Sequence, residues 1–105
     1  MVAYDLYGIK DMSLIEAKLN VEKCLGFSFV EKESAYQGGG YYRFDGEEGE
    51  GFVLKENVDP FDGEAVEQLF SEYPILLYVD KTIRSDNIGS LLDMKFSLLR
   101  HESFD

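Results

Sequence analysis

Apolar and polar positions alternate from Val2 to Ile9, with Val2, Tyr4 and Leu6 on one side, and this pattern predicts a first strand. The rhythm then lengthens. Leu14, Ala17, Val21, Cys24 and Leu25 recur at helical spacing, while Glu16, Asn20 and Lys23 fall off that stripe. Ser13 stands three residues before Glu16, the spacing at which hydroxyl and carboxylate satisfy free helix N–H groups. Gly26 suits a left-handed stop, so a helix is expected between Ser13 and Gly26.

Residues 27–36 read as a strand with Phe27 and Phe29 on one side, broken by Gly38, Gly39 and Gly40. Extended structure resumes over 41–45, the polar run 46–51 is a hairpin loop, and 52–58 returns as a strand. Three strands joined by glycine connections predict an antiparallel meander. Asp59-Pro60 suits a helix entry, Ala65, Val66, Leu69, Phe70 and Tyr73 form a second stripe, and Pro74 ends it. The run Ile75-Leu76-Leu77-Tyr78-Val79 fits a strand buried on both faces. Ser85 is placed to cap a short helix bearing Ile88, Leu91 and Leu92, and residues 96–101 alternate as a last strand. The expected order is β-α-β-β-β-α-β-α-β. It describes a single α/β (α+β) domain over 1–105: a central, mostly antiparallel or mixed sheet with two to three helices.

Composition sharpens this picture. At 105 residues the chain holds one core, and 45% hydrophobic residues are enough to fill it. The 21 Asp and Glu residues outnumber 10 Lys and Arg, giving a net charge of -11. Such a surface repels phosphate, so direct nucleic-acid or anionic-membrane binding is disfavoured and cationic protein partners are favoured. Cys24 is the one cysteine, so no internal disulfide forms. The first residues carry no basic-then-apolar signal and no stretch is long enough to cross a bilayer, so a cytoplasmic location is expected.

Catalytic chemistry finds little support. His101 is the one histidine, and Cys24 lies on an apolar helix stripe where a small buried side chain is expected. One Cys and one His do not make a zinc site, and 45–50 lacks the alternating ligands of a calcium loop. The glycines 38–40 lead into tyrosines instead of a helix N-terminus that would face phosphate. No cofactor is expected, and the chain does not read as an enzyme.

Charge is distributed unevenly. Between positions 45 and 72 the acids are Asp45, Glu47, Glu48, Glu50, Glu56, Asp59, Asp62, Glu64, Glu67 and Glu72, with Lys55 the sole base. Tyr36, Tyr41 and Tyr42 stand beside this run, and tyrosine is a favoured interface anchor. Because strand neighbours point to opposite faces, Tyr41 or Tyr42 should face away from the core. The expected partner-binding set is therefore Tyr36, Tyr41, Tyr42, Asp45, Glu47, Glu48, Glu50, Glu56, Asp59, Asp62, Glu64 and Glu67.

The stretch Glu33-Ser34-Ala35-Tyr36-Gln37-Gly38-Gly39-Gly40-Tyr41-Tyr42-Arg43 resembles a motif of immunity proteins from contact-dependent growth inhibition systems. Residues 51–57 and 73–79 share in the resemblance, which runs from Tyr4 to about Arg100. It implies a cytoplasmic antitoxin that neutralises the C-terminal domain of a toxin, here a ribonuclease attacking transfer RNA. Some such toxins also use elongation factor Tu, which would then be an indirect associate. Two other readings stay open. The β-α-β-β-β order with Leu25-Gly26-Phe27 is similar in shape to half of a glyoxalase-like domain, which would make the chain a small-molecule binding protein or enzyme. An acidic adaptor for a basic protein is the third.

Overall fold

The computed structural model describes residues 1–34, 39–92 and 94–105. Its elements are β1 (Val2–Ile9), α1 (Leu14–Leu25), β2 (Val30–Ser34), β3 (Gly39–Asp45), β4 (Gly51–Glu56), β5 (Ile75–Thr82), α2 (Ser85–Leu91) and β6 (Phe96–Phe104). The strands form one six-stranded sheet in the order β2-β3-β4-β5-β1-β6, and every pairing is antiparallel. The fold is α+β. β1 and β2 therefore point the same way from separate places in the sheet, and α1 carries the chain across one face between them. α2 does the same between β5 and β6.

Local chemistry sets the first helix as its sequence predicts. The Ser13 hydroxyl accepts from the Glu16 backbone N–H, the Glu16 carboxylate accepts from the Ser13 N–H, and both distances are 3.1 Å. Gly26 ends the helix at φ 77°, a conformation a side chain would strain. α2 departs from expectation. Arg84, not Ser85, is its N-cap, and the Ser85 hydroxyl turns to the Asp5 carboxylate instead.

Both helices pack on the same sheet face, while Ile15, Leu19 and Leu91 stay exposed. Ala17 and Val21 of α1 and Ile88 of α2 join Tyr7, Ile9, Phe52, Leu54, Ile75, Leu77 and Val79 in one core. Phe27 and Phe29, expected in a strand, lie before β2 and fill the core edge. Phe27 stacks on Phe44 with centroids 4.2 Å apart, an aromatic contact worth more than its area alone.

The helix expected around 65–73 is absent; only a short 3-10 turn at Gln68–Phe70 occurs there. Side chains outside the stripe captured the backbone groups that a helix needs. Asp59 accepts the Phe61 N–H at 2.8 Å and Asp62 the Glu64 N–H at 2.9 Å, while Gly63 sits at φ +74°. The buried Asn57 carboxamide donates to the Phe70 and Tyr73 carbonyls at 3.2 and 3.0 Å and accepts the Glu67 N–H at 2.9 Å. Residues 57–74 thus form an irregular strap, and the order is β-α-β-β-β-β-α-β. Asn57→Ala is expected to leave those groups without partners and to cost about 2 kcal/mol, read as a lower denaturant midpoint.

Candidate functional site

The strap lies over the sheet face that the helices leave open. Its root is Asn57, whose backbone N–H also bonds the Pro74 carbonyl at 2.8 Å, bringing the two ends together. Further along, Glu67 reaches the sheet. It accepts from the Tyr78 hydroxyl at 2.6 Å and from Arg100 at 3.1 Å. Burial alone raises the Glu67 carboxyl, but Tyr78 and Arg100 outweigh it and hold the group below its ordinary range. Tyr73 closes the seat: an added Cβ on Gly8 would lie 2.6 Å from its ring, and Lys10 stands 4.6 Å from its centroid. Lys55 is buried on the same face, pushed down by desolvation and partly held up by Asp59 and Glu67.

The strap presents large apolar side chains outward. Phe61 is 77% exposed and Leu69 89% exposed, with Val58 and Val66 also open to solvent. Asp59, Asp62, Glu64 and Glu72 share the strap with them, and no Lys or Arg occurs from 57 to 74. Large apolar tips thus stand among carboxylates on one segment. An 18-residue connection held by its own side chains is itself of the kind that carries function.

The residues expected from sequence to bind a partner divide into separate places. Asp45, Glu47, Glu48 and Glu50 belong to the β3–β4 turn, whereas Glu56, Asp59, Asp62, Glu64 and Glu67 lie at or beyond the other end of β4. The six-residue strand separates these groups by roughly 20 Å. Half of the turn group is occupied. Asp45 pairs with Arg43 at 2.8 Å, and Glu50 takes a two-bond Arg84 contact at 3.0 and 2.8 Å plus the Thr82 hydroxyl at 2.7 Å. Glu47 and Glu48 are exposed and carry no ion pair among the described residues. Tyr42 is 7% exposed and belongs to the core, Tyr41 lies half-buried on the opposite face, and Tyr36 lies outside the described residues. Phe61 and Leu69 were missed by sequence reasoning. Leu69 was assigned to a helix stripe, and Phe61 had only its Asp-Pro-Phe-Asp-Gly turn setting as a signal.

Glu50 and Glu67 make the fold acid-sensitive. Arg84 is the main cause holding Glu50 below the ordinary 4.5, against burial, and Glu67 is lowered as described. A carboxylate lowered in the folded state stabilises above its unfolded pKa, and that stabilisation disappears as pH falls through the folded value. Thermal stability is therefore expected to hold above pH 4.5 and to fall below it. Glu50→Gln should lower the neutral-pH melting temperature and flatten the acid limb of a melting-temperature profile.

A polar cluster brings together residues far apart in sequence. The Asp5 side chain, 0% exposed, faces His101 Nδ1 at 2.5 Å and receives the Ser85 hydroxyl. Ser85 Oγ is 3.4 Å from that same Nδ1. In a nucleophilic triad the serine and the aspartate address opposite imidazole nitrogens; here both meet Nδ1, and the hydroxyl donates to the carboxylate. The cluster ties β1, α2 and β6 and departs from the triad arrangement. Among the described residues no group of three His, Cys, Asp or Glu side chains is placed to hold a metal ion. Among the same residues no helix is long and apolar enough to cross a membrane. No family model matches the chain, and no curated protein or solved structure matches it either.

Proposed function

We propose that this protein is an immunity-type inhibitor that binds a basic ribonuclease toxin domain and blocks it by forming a stoichiometric complex. The observation that carries the reading is the acidic strap, with Phe61 and Leu69 held in solvent on a segment pinned by Asn57 and Glu67. An apolar pair this exposed gains free energy by being covered, and fixing the backbone in advance reduces the ordering cost of binding. The surrounding carboxylates choose a cationic cover and occupy the place that substrate phosphates take on a nuclease. The net charge of -11 adds long-range attraction. The resemblance of residues 33–43, 51–57 and 73–79 to immunity proteins supports the same reading, and elongation factor Tu would associate only through the toxin.

The test takes any nuclease domain found encoded next to this chain and titrates its cleavage of transfer RNA with the protein. Activity is expected to fall linearly and to vanish at one equivalent. Full cleavage in the presence of excess protein would defeat the proposal. The rate of association should also drop as salt rises, because exposed charges act over about a Debye length of ~8–10 Å at physiological ionic strength.

A further inference from the structure

Beside the strap, the uncovered part of the same sheet face is hollowed into a cavity of about 500 Å³, lined among others by Tyr4, Tyr78, Asp80, Arg100, Glu102 and Phe104. Strand register assembles it. Tyr4 stands opposite Glu102 and Val2 opposite Phe104, while Tyr78 and Asp80 alternate onto the same face of β5. The rings of Tyr4 and Phe104 meet edge-on with centroids 5.7 Å apart and make an aromatic wall. The hollow is open to solvent, and its volume falls in the range of ligand-binding clefts.

Asp80 is the unexplained group in this cavity. It is half-buried and accepts no side-chain hydrogen bond among the described residues. Burial raises its carboxyl, and Arg43 offsets this only in part. That guanidinium is already engaged by Asp45 at 2.8 Å. Arg100, the cation in the cavity wall, is likewise engaged, with Glu67 at 3.1 Å and Glu102 at 3.8 Å. A desolvated carboxylate beside aromatic rings is a poor hydrogen-bond arrangement by itself and a good one for an incoming cation.

We infer that this cavity receives an arginine side chain of the partner protein, whose guanidinium stacks on the Tyr4–Phe104 wall and bonds Asp80. The inference rests on the binding reading above and adds a specificity site to it. Arginine fits better than lysine because its planar, weakly hydrated head both stacks and donates in a fork. The cavity adjoins the strap directly, since Tyr78 and Arg100 line it and are also the groups that Glu67 grips. A protein seated on Phe61 and Leu69 would therefore overhang it.

The experiment uses the free protein and a capped Gly-Arg-Gly peptide, with the citrulline peptide as its neutral isostere. In a two-dimensional NMR titration the arginine peptide is expected to shift Tyr4, Tyr78, Asp80 and Phe104 resonances saturably, at least tenfold more tightly than the citrulline peptide. Asp80→Asn and Tyr4→Leu, each first shown to melt like the parent, should each weaken binding severalfold or more, and Asp11→Asn, an exposed carboxylate in the β1–α1 turn, should not. Equal binding of both peptides, shifts confined to the strap, or unchanged affinity in Asp80→Asn would overturn the inference. Because no nuclease is present, these outcomes are separate from the proposed function. A failed peptide titration with intact nuclease inhibition removes the cavity alone, and the converse removes the inhibitor reading alone.

Discussion

Phe61→Ser combined with Leu69→Ser is expected to weaken binding of the proposed nuclease partner by about a thousandfold while leaving the melting temperature within a degree or two. The two residues are 77% and 89% exposed, so replacing them opens no cavity in the fold. Their value appears only when a partner covers them. Anchors of this size commonly contribute ~2 kcal/mol or more each on truncation, and two of them account for the expected loss. Calorimetric titration of the double variant measures it. The single changes should each give part of the effect, and Glu47→Gln with Glu48→Gln, on the distant β3–β4 turn, should chiefly slow association. Wild-type affinity in the double variant would show that the partner docks elsewhere.

Gly8→Ala is expected to cost about 3 kcal/mol of stability, near the upper end for a small overpacking change. The added methyl would stand 2.6 Å from the Tyr73 ring and 2.7 Å from Leu99, distances that real Cβ contacts do not reach. Gly8 lies near the end of β1 but is paired on both sides, with Leu76 of β5 and Ser97 of β6, so the backbone has little freedom to retreat. Tyr73 must move instead. That displaces its contact with Lys10 and disturbs its carbonyl, which Asn57 holds at 3.0 Å. The variant should therefore lose stability and also loosen the strap, giving faster amide exchange over 57–74 than over β5. A denaturant series reads the first effect. A variant as stable as the parent would mean that Tyr73 does not seat the strap.

Much of this fold was legible in the sequence where one local signal governed. α1 followed from Ser13, Glu16 and Gly26, whose capping partners are neighbours in the chain. The alternation of Tyr41 and Tyr42 likewise placed one inside and one outside, as strand geometry requires. Legibility failed where distant groups decided. The stripe Ala65, Val66, Leu69, Phe70 and Tyr73 satisfied a helix template, yet Asn57 captured Tyr73 from 16 residues away. The same event turned Leu69 from an expected core residue into an exposed tip. The acidic run was real in composition, but β4 passes through it, so adjacency along the chain did not become adjacency in space. Asp5 and His101, 96 residues apart, had no sequence signal linking them.

The strap as docking surface is tested most directly by amide hydrogen exchange of the protein alone and mixed with the proposed nuclease partner. Protection on binding is expected to concentrate in 58–72 and in the neighbouring Tyr78 and Arg100 positions, with the β3–β4 turn little changed. Protection centred on 45–50 or on the helix face, with the strap exchanging as freely as before, would contradict the account.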